Sequence, residues 1–315
     1  EPLPKSLAAV LSAFTPVARV GMALRKLQSP QRVNAHVISF GNLTVGGTGK
    51  TPAVIERAIH EVDGGKKVAV LTRGYGARRK GILIIPPNSL DRNKDEVWLG
   101  DEPELIRRKV PQVTICKCVD RVEGARRVIE EFGCDVLILD DGFQYVRLER
   151  DENVLVIDAT NPFGNGKLIP RGILREPLSA MSRATHVILT KCDLSPDLNQ
   201  LLELLKTHCP SVPIRTTRHA PCYLLRVHDQ QRFDLSLIRG QTVAVVCAIG
   251  NPEAFVRTVE KLGAQVGSCL FYRDHAYIHD LPENGIVVTT EKDAIKMKDP
   301  KPNVFSVVIQ LEDIM

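Results

Sequence analysis

The chain has 315 residues, 43% hydrophobic and 25% charged, ordinary proportions that exclude wholesale disorder and leave room for a large domain plus a smaller one. Its 42 Lys and Arg against 37 Asp and Glu leave a mild +5, scattered without aromatic interleaving, so no dedicated nucleic-acid surface is expected and an anionic ligand or surface accounts for the excess as well. Eight cysteines at irregular spacing read as reduced structural thiols, and neither Cys116-x-Cys118 nor His208-Cys209 has the paired spacing of a zinc site.

Residues 1–30 form the first predicted segment. Leu7, Leu11, Phe14, Val17, Val20 and Leu24 make a broad apolar face, broken by Pro16 and charged at Arg19, ahead of Arg25 and Lys26. No run reaches the roughly 18 to 20 apolar residues of a membrane span. The pattern suits a helix lying in a membrane interface and equally an amphipathic helix packed on the protein's own core. A chain beginning at Glu1 also leaves room for a targeting sequence.

Short β-branched runs then alternate with helical patterns: HVISF (36–40), KVAVLT (67–72), DVLILD (135–140), NVLVID (153–158) and HVILT (186–190). Near-continuous apolar strands separated by helices predict a mainly parallel sheet covered on both faces, an α/β doubly wound fold of the P-loop NTPase type. Ligands in such sheets bind beyond the carboxyl ends of the strands. All five strand ends here carry polar or glycine residues.

After the first strand comes Thr44-Val45-Gly46-Gly47-Thr48-Gly49-Lys50-Thr51. The usual spacing G-x-x-x-x-G-K-[ST] places a glycine at position 44, where this chain has Thr44. The G-K-T end is intact and opens a helical pattern, so the loop is predicted to hold nucleotide phosphates. Lys50 would reach the β- and γ-phosphates and Thr51 would ligate Mg²⁺. Arg73-Gly74-Tyr75-Gly76 follows the second strand. In GDEPELI (100–106), Asp101 and Glu102 read either as base and metal ligand or as acids in the first turn of a helix. In ILDDGFQ (138–144), Asp140 and Asp141 stand where a Walker B acid binds Mg²⁺, although an aspartate pair also caps turns. TKCD (190–193) is similar to the guanine-reading motif of GTPases, which raises a rival: a GTPase of the metallochaperone type. A non-catalytic nucleotide-binding relative is a further alternative.

Beyond residue 216, YLLRVH and RFDLSLI predict an antiparallel ribbon, followed by a smaller α/β lobe. The expected division is a segment at 1–30, a nucleotide-binding core at 31–216, and a ribbon and lobe at 217–315 whose last strand returns to the core. RDHAYIHD (273–280) carries His275 and His279 at i, i+4, which reads as a solvated or packed pair unless an acid orients His275 for proton transfer.

SFGNLTVGGTGKTP, LTRGYG, GDEP, ILDDGFQ, NPFGNGKLIPRGILREP, DHAY and TTEKDA, in that order from about residue 36 to 297, together resemble the tetraacyldisaccharide 4'-kinase family of lipid A biosynthesis. PRGILREP separates this pattern from GTPases. The resemblance implies an ATP- and Mg²⁺-dependent kinase acting on the 4'-hydroxyl of an acylated glucosamine disaccharide 1-phosphate. It also implies two lobes, an N-terminal helix on the bilayer and a monomer. The expected place is the cytoplasmic face of a bacterial inner membrane, or a mitochondrion or another organelle in a plant or alga. Asp101 matches the family's base and His275 its partner. Lys50 and Thr51 match its phosphate and metal groups, and Glu102, Asp140 and Asp141 its acids near the metal. Arg73, Tyr75, Arg175 and Glu176 become candidates for positioning substrate. The chain departs from the pattern at Tyr145, where the family usually has His, and at Ala276, to which no role is assigned.

Overall fold

The computed structural model describes residues 29–74, 81–89, 99–273, 276–278, 280–297 and 299–314. The amphipathic segment up to residue 28, Tyr75, His275 and His279 lie outside them. The described elements run β1 (His36–Gly41), α1 (Lys50–Asp63), β2 (Val68–Thr72), β3 (Leu83–Ile85), α2 (Asp101–Lys109), β4 (Thr114–Lys117), α3 (Arg121–Phe132), β5 (Val136–Asp140), β6 (Glu152–Asp158), β7 (His186–Thr190) and α4 (Leu198–His208). They continue through β8 (Ile214–Arg226), β9 (Arg232–Phe233), β10 (Thr242–Cys247), α5 (Pro252–Lys261), β11 (Gln265–Phe271), β12 (Ile286–Thr290), α6 (Glu291–Ala294) and β13 (Val304–Asp313). Among the described residues no helix is long and apolar enough to cross a membrane.

The chain divides into two compact units. One comprises Glu1–Val97, Val110–Arg218 and Leu311–Met315, the other Trp98–Lys109 and His219–Gln310. The expected division places α2 in the core, whereas α2 clusters with the later unit; the last residues cluster with the earlier one. Periodicity shows where elements lie, and it carries no information about which core a nine-residue helix joins.

In the first unit the sheet order is β8-β7-β6-β1-β5-β2-β4-β3. Neighbours are parallel except β3, which runs antiparallel to β4. The central strands β2 and β5 are buried at every position, which is why they read as unbroken apolar runs rather than alternating ones. The β1/β5 register sets Phe40 opposite Asp140, so the end of β5 lies beside the exit of β1 into the glycine loop. Two apolar clusters lie side by side on one face of the sheet, while the alternate positions Ile38, Phe40, Val70, Ile138 and Val156 are buried on the other. One cluster contains Leu71, Val122, Val128 and Leu137; the second contains Leu43, Phe143, Leu155, Leu189 and Leu205. α3 is capped at both ends: Asp120 accepts the Val122 and Glu123 N–H groups, and Gly133 closes the helix at φ 63°. The Tyr145 hydroxyl donates to Asp120 Oδ1 at 2.8 Å and accepts the Arg121 N–H at 3.0 Å.

In the second unit the order is β11-β10-β12-β13-β8, with β9 on β8. β10 to β13 are parallel neighbours around a core of Leu224, Val243, Val245, Val288 and Phe305. The ribbon is shorter than its sequence suggests. β9 pairs antiparallel with β8 over only two residues, because the Asp234 side chain accepts the Ser236 N–H at 2.8 Å and turns the chain into a 3₁₀ turn.

Candidate functional site

The exit of β1 and the turn after β5 are interlocked. A Cβ on Gly41 would meet Phe143 Cβ at 2.5 Å, and one on Gly142 would meet Ser39 Oγ at 2.6 Å. Neither position has room for a Cβ, Gly41 against the Phe143 backbone and Gly142 against the Ser39 and Leu139 side chains. The loop entrance is stitched to the LREP stretch: Val45 N–H donates to the Ile173 carbonyl at 2.8 Å and Arg175 N–H to that of Leu43 at 2.6 Å, with Thr44 bridged to Leu174. Thr44 is thus a paired, extended residue, with no need for glycine. Left-handed backbone occurs at Gly46 (φ 108°) and Gly49 (φ 79°), the latter heading α1. Val45, Gly46 and Gly47 are exposed, and a Cβ on either of those glycines would meet nothing within 4 Å. Thr48 is buried, its carbonyl accepts the Thr190 hydroxyl at 2.8 Å, and its own Oγ1 is buried without a hydrogen-bond partner.

Behind this cradle stands a charged cluster. Lys50 is 8% exposed. Its Nζ donates to Asn42 Oδ1 at 3.1 Å and lies 3.4 Å from Asp141 Oδ1. Arg175 Nη1 donates to the other Asp141 oxygen at 2.7 Å. Burial would raise the Asp141 carboxyl, but Lys50 and Arg175 together hold it below the ordinary carboxylate range. Asp141 occupies left-handed backbone at φ 56°, which an aspartate tolerates better than most residues. Gln144 Nε2 donates to the Asn42 carbonyl at 2.8 Å and braces that anchor. Asp140 ends β5 and is buried. An open glycine mouth, the amino end of a 14-residue helix, an orphaned threonine hydroxyl and a lysine held at the loop fit a polyphosphate with its divalent cation.

The remaining candidates fall differently. Arg73 lies just past β2 and is exposed. Glu176 is buried and its carboxylate is engaged by Arg183, whose guanidinium sits 4.7 Å from the Phe143 ring. Glu176 thereby ties the loop segment to Arg183. Lys191 of TKCD is ion-paired with Asp158.

Asp101 and Glu102 open α2 in the second unit, with Glu104 completing an acidic first turn. Lys296 Nζ lies 3.8 Å from Asp101 Oδ2 and 2.9 Å from Asp293 Oδ1. Asn42 and Lys296, which contact candidate residues, and Gln144, which braces Asn42, were not singled out in the sequence. Asn42 and Gln144 sit inside quoted motifs, whereas Lys296 carries no spacing signal at all.

Residues 5–313 match the family model LpxK, described as Tetraacyldisaccharide-1-P 4'-kinase. The tetraacyldisaccharide 4'-kinase of Anaeromyxobacter dehalogenans strain 2CP-C is 40% identical over 289 residues, 88% of this chain and 76% of that one. The enzyme of the same name from Syntrophus aciditrophicus is 37% identical over 315 residues, covering 92% and 84%. The crystal structure of LpxK from Aquifex aeolicus in complex with ATP superposes with a TM-score of 0.83 at 29% identity, covering 98% of this chain and 95% of that one.

Proposed function

Since the chain belongs to the tetraacyldisaccharide-1-P 4'-kinase family, we propose that it transfers the γ-phosphoryl group of ATP to the 4'-hydroxyl of an acylated glucosamine disaccharide 1-phosphate, giving lipid IVA. The observation that carries this reading is the Lys50–Asp141–Arg175 cluster set behind an open glycine cradle at the start of α1.

Loop backbone N–H groups hold the phosphates, and Lys50 neutralises charge on the transferring group. Asn42 and Asp141 keep that ammonium in place before ATP arrives, which removes part of the cost of ordering a long side chain. Arg175 fixes Asp141. Thr51, Asp140 and Glu102 would hold Mg²⁺, which would supply positive charge against the negative charge of the phosphates. Asp101, supported by His275, accepts the 4'-hydroxyl proton as the new O–P bond forms and the bond to the departing ADP breaks. Arg73 and Tyr75 are assigned to orienting the sugar. Residues 1–28 are assigned to the membrane surface, consistent with a basic chain approaching an anionic lipid. The protein then acts as a peripheral monomer on the cytoplasmic face of a bacterial inner membrane.

Turnover of Lys50→Ala tests the reading. It should fall by about 10³-fold or more with the thermal melt unchanged, and full activity would remove the loop from the mechanism.

A further inference from the structure

Inside the second unit α2 is ion-paired at both ends to the α6 region. Lys109 at its last turn pairs with Glu291, the first residue of α6. Asp101 at its first turn faces Lys296, two residues past α6. The two ends differ in burial. The side chains of Lys296 and Asp293 are 1% and 0% exposed, and a fully buried ion pair contributes little to stability over an apolar pair of the same shape. Asp293 is anchored without Lys296: its Oδ2 accepts the Ala248 N–H at 3.0 Å and the Thr290 hydroxyl at 2.7 Å. Its Oδ1 is left facing the ammonium at 2.9 Å. One buried lysine therefore serves two carboxylates, one pinned by the backbone and one at the head of α2.

We infer that Lys296 is the positioning residue for Asp101, a buried ammonium that keeps the carboxylate oriented as the base. The inference rests on the assignment of Asp101 made above. Removing that charge leaves Asp101 in a turn already holding Glu102 and Glu104, with buried Asp293 uncompensated behind it. Without the ammonium the Asp101 carboxylate loses one of its partners and its fixed orientation, and a carboxylate displaced by about an ångström costs about 10²-fold in rate.

The test compares full-length Lys296→Met, Lys296→Arg, Glu291→Gln, Asp101→Ala and the Lys296→Met/Asp101→Ala double variant, assayed with ATP and the acylated disaccharide 1-phosphate. Lys296→Met should lose about 10²-fold in kcat with both KM values little changed. Arginine should restore most of the loss. Glu291→Gln, which loosens the other end of the same helix, should leave kcat close to the unsubstituted rate. The double variant should be no slower than Asp101→Ala alone, because both act through one group. If Lys296→Met does not fold, Lys296→Gln carries the same expectation. Full kcat in Lys296→Met with a slow Asp101→Ala overturns this inference alone, as do independent, multiplying losses or equal losses in Lys296→Met and Glu291→Gln. Full activity in Asp101→Ala overturns the base assignment itself.

Discussion

Asp141 receives two cations, Lys50 at 3.4 Å and Arg175 at 2.7 Å, and of these only Lys50 belongs to the glycine loop. The carboxylate acts as a spacer between them, so the two predictions at this position differ in kind. Arg175→Ala should lower kcat by about 10²-fold, and lysine should rescue it poorly because a flexible point charge does not reproduce a guanidinium held against one oxygen. Asn42→Ala removes the neutral half of the Lys50 anchor. Lys50 then gains freedom in the empty site, so Asn42→Ala should weaken ATP binding, measured by titration calorimetry, more than it lowers kcat. A kcat loss with unchanged ATP affinity would contradict the anchoring role. The candidacy of Lys50 was legible in the G-K-T spacing. That of Asn42 was not, because an asparagine after a strand reads as turn chemistry until the lysine eight residues later is seen to fold back onto it.

Elements are locked together by two different kinds of contact. At the carboxyl end of the sheet, β1 and the β5 turn pack closely, Gly41 on the Phe143 backbone and Gly142 on the Ser39 and Leu139 side chains. Gly142→Ala should cost about 1–3 kcal/mol by overpacking against Ser39 and Leu139, visible as a lower denaturant midpoint, and an unchanged midpoint would refute the contact. At the opposite end, Arg57 of α1 grips Glu152 of β6 with 2.5 and 2.8 Å hydrogen bonds, and His36 adds a third at 3.0 Å. The hydrogen bond to Arg57 outweighs partial burial and lowers the Glu152 carboxyl from 4.5 to about 2. A carboxyl depressed in the folded state stabilises it above its unfolded value. That contribution is lost as pH falls from about 4.5 through about 2. Glu152→Gln should therefore narrow its stability gap to the unsubstituted protein over that window, read as converging urea midpoints. The five long apolar strands were legible because a doubly covered sheet leaves unbroken β-branched runs. β3 and β4, three and four residues long, were too short to stand out from their surroundings. β8 was read only in part because its 13 residues are mostly half-buried and mix charges with apolar positions.

At the scale of the whole molecule, the chain passes between the units within β8 and within β13 and lends α2 to the second unit. That arrangement was not legible as a single boundary. The acid assigned as base thus belongs to a different compact unit from the glycine loop, although GDEP precedes DDGF in the sequence. The amphipathic pattern of residues 1–28 yields a prediction of its own: deleting them should abolish cosedimentation with anionic lipid vesicles while leaving ATP affinity within about threefold, since an amphipathic basic segment contributes apolar area and charge to membrane binding and not to the loop. Vesicle binding that survives the deletion would place the membrane contact elsewhere.

The central claim, phosphoryl transfer to a lipid-borne sugar, is tested most directly by incubating the purified protein with γ-labelled ATP or GTP and acylated glucosamine disaccharide 1-phosphate in detergent. The label should appear in a lipid carrying one additional phosphate on its 4'-oxygen, with ATP preferred and the transfer lost in Lys50→Ala. Nucleotide hydrolysis without labelled lipid, or transfer supported by GTP alone, would contradict the account.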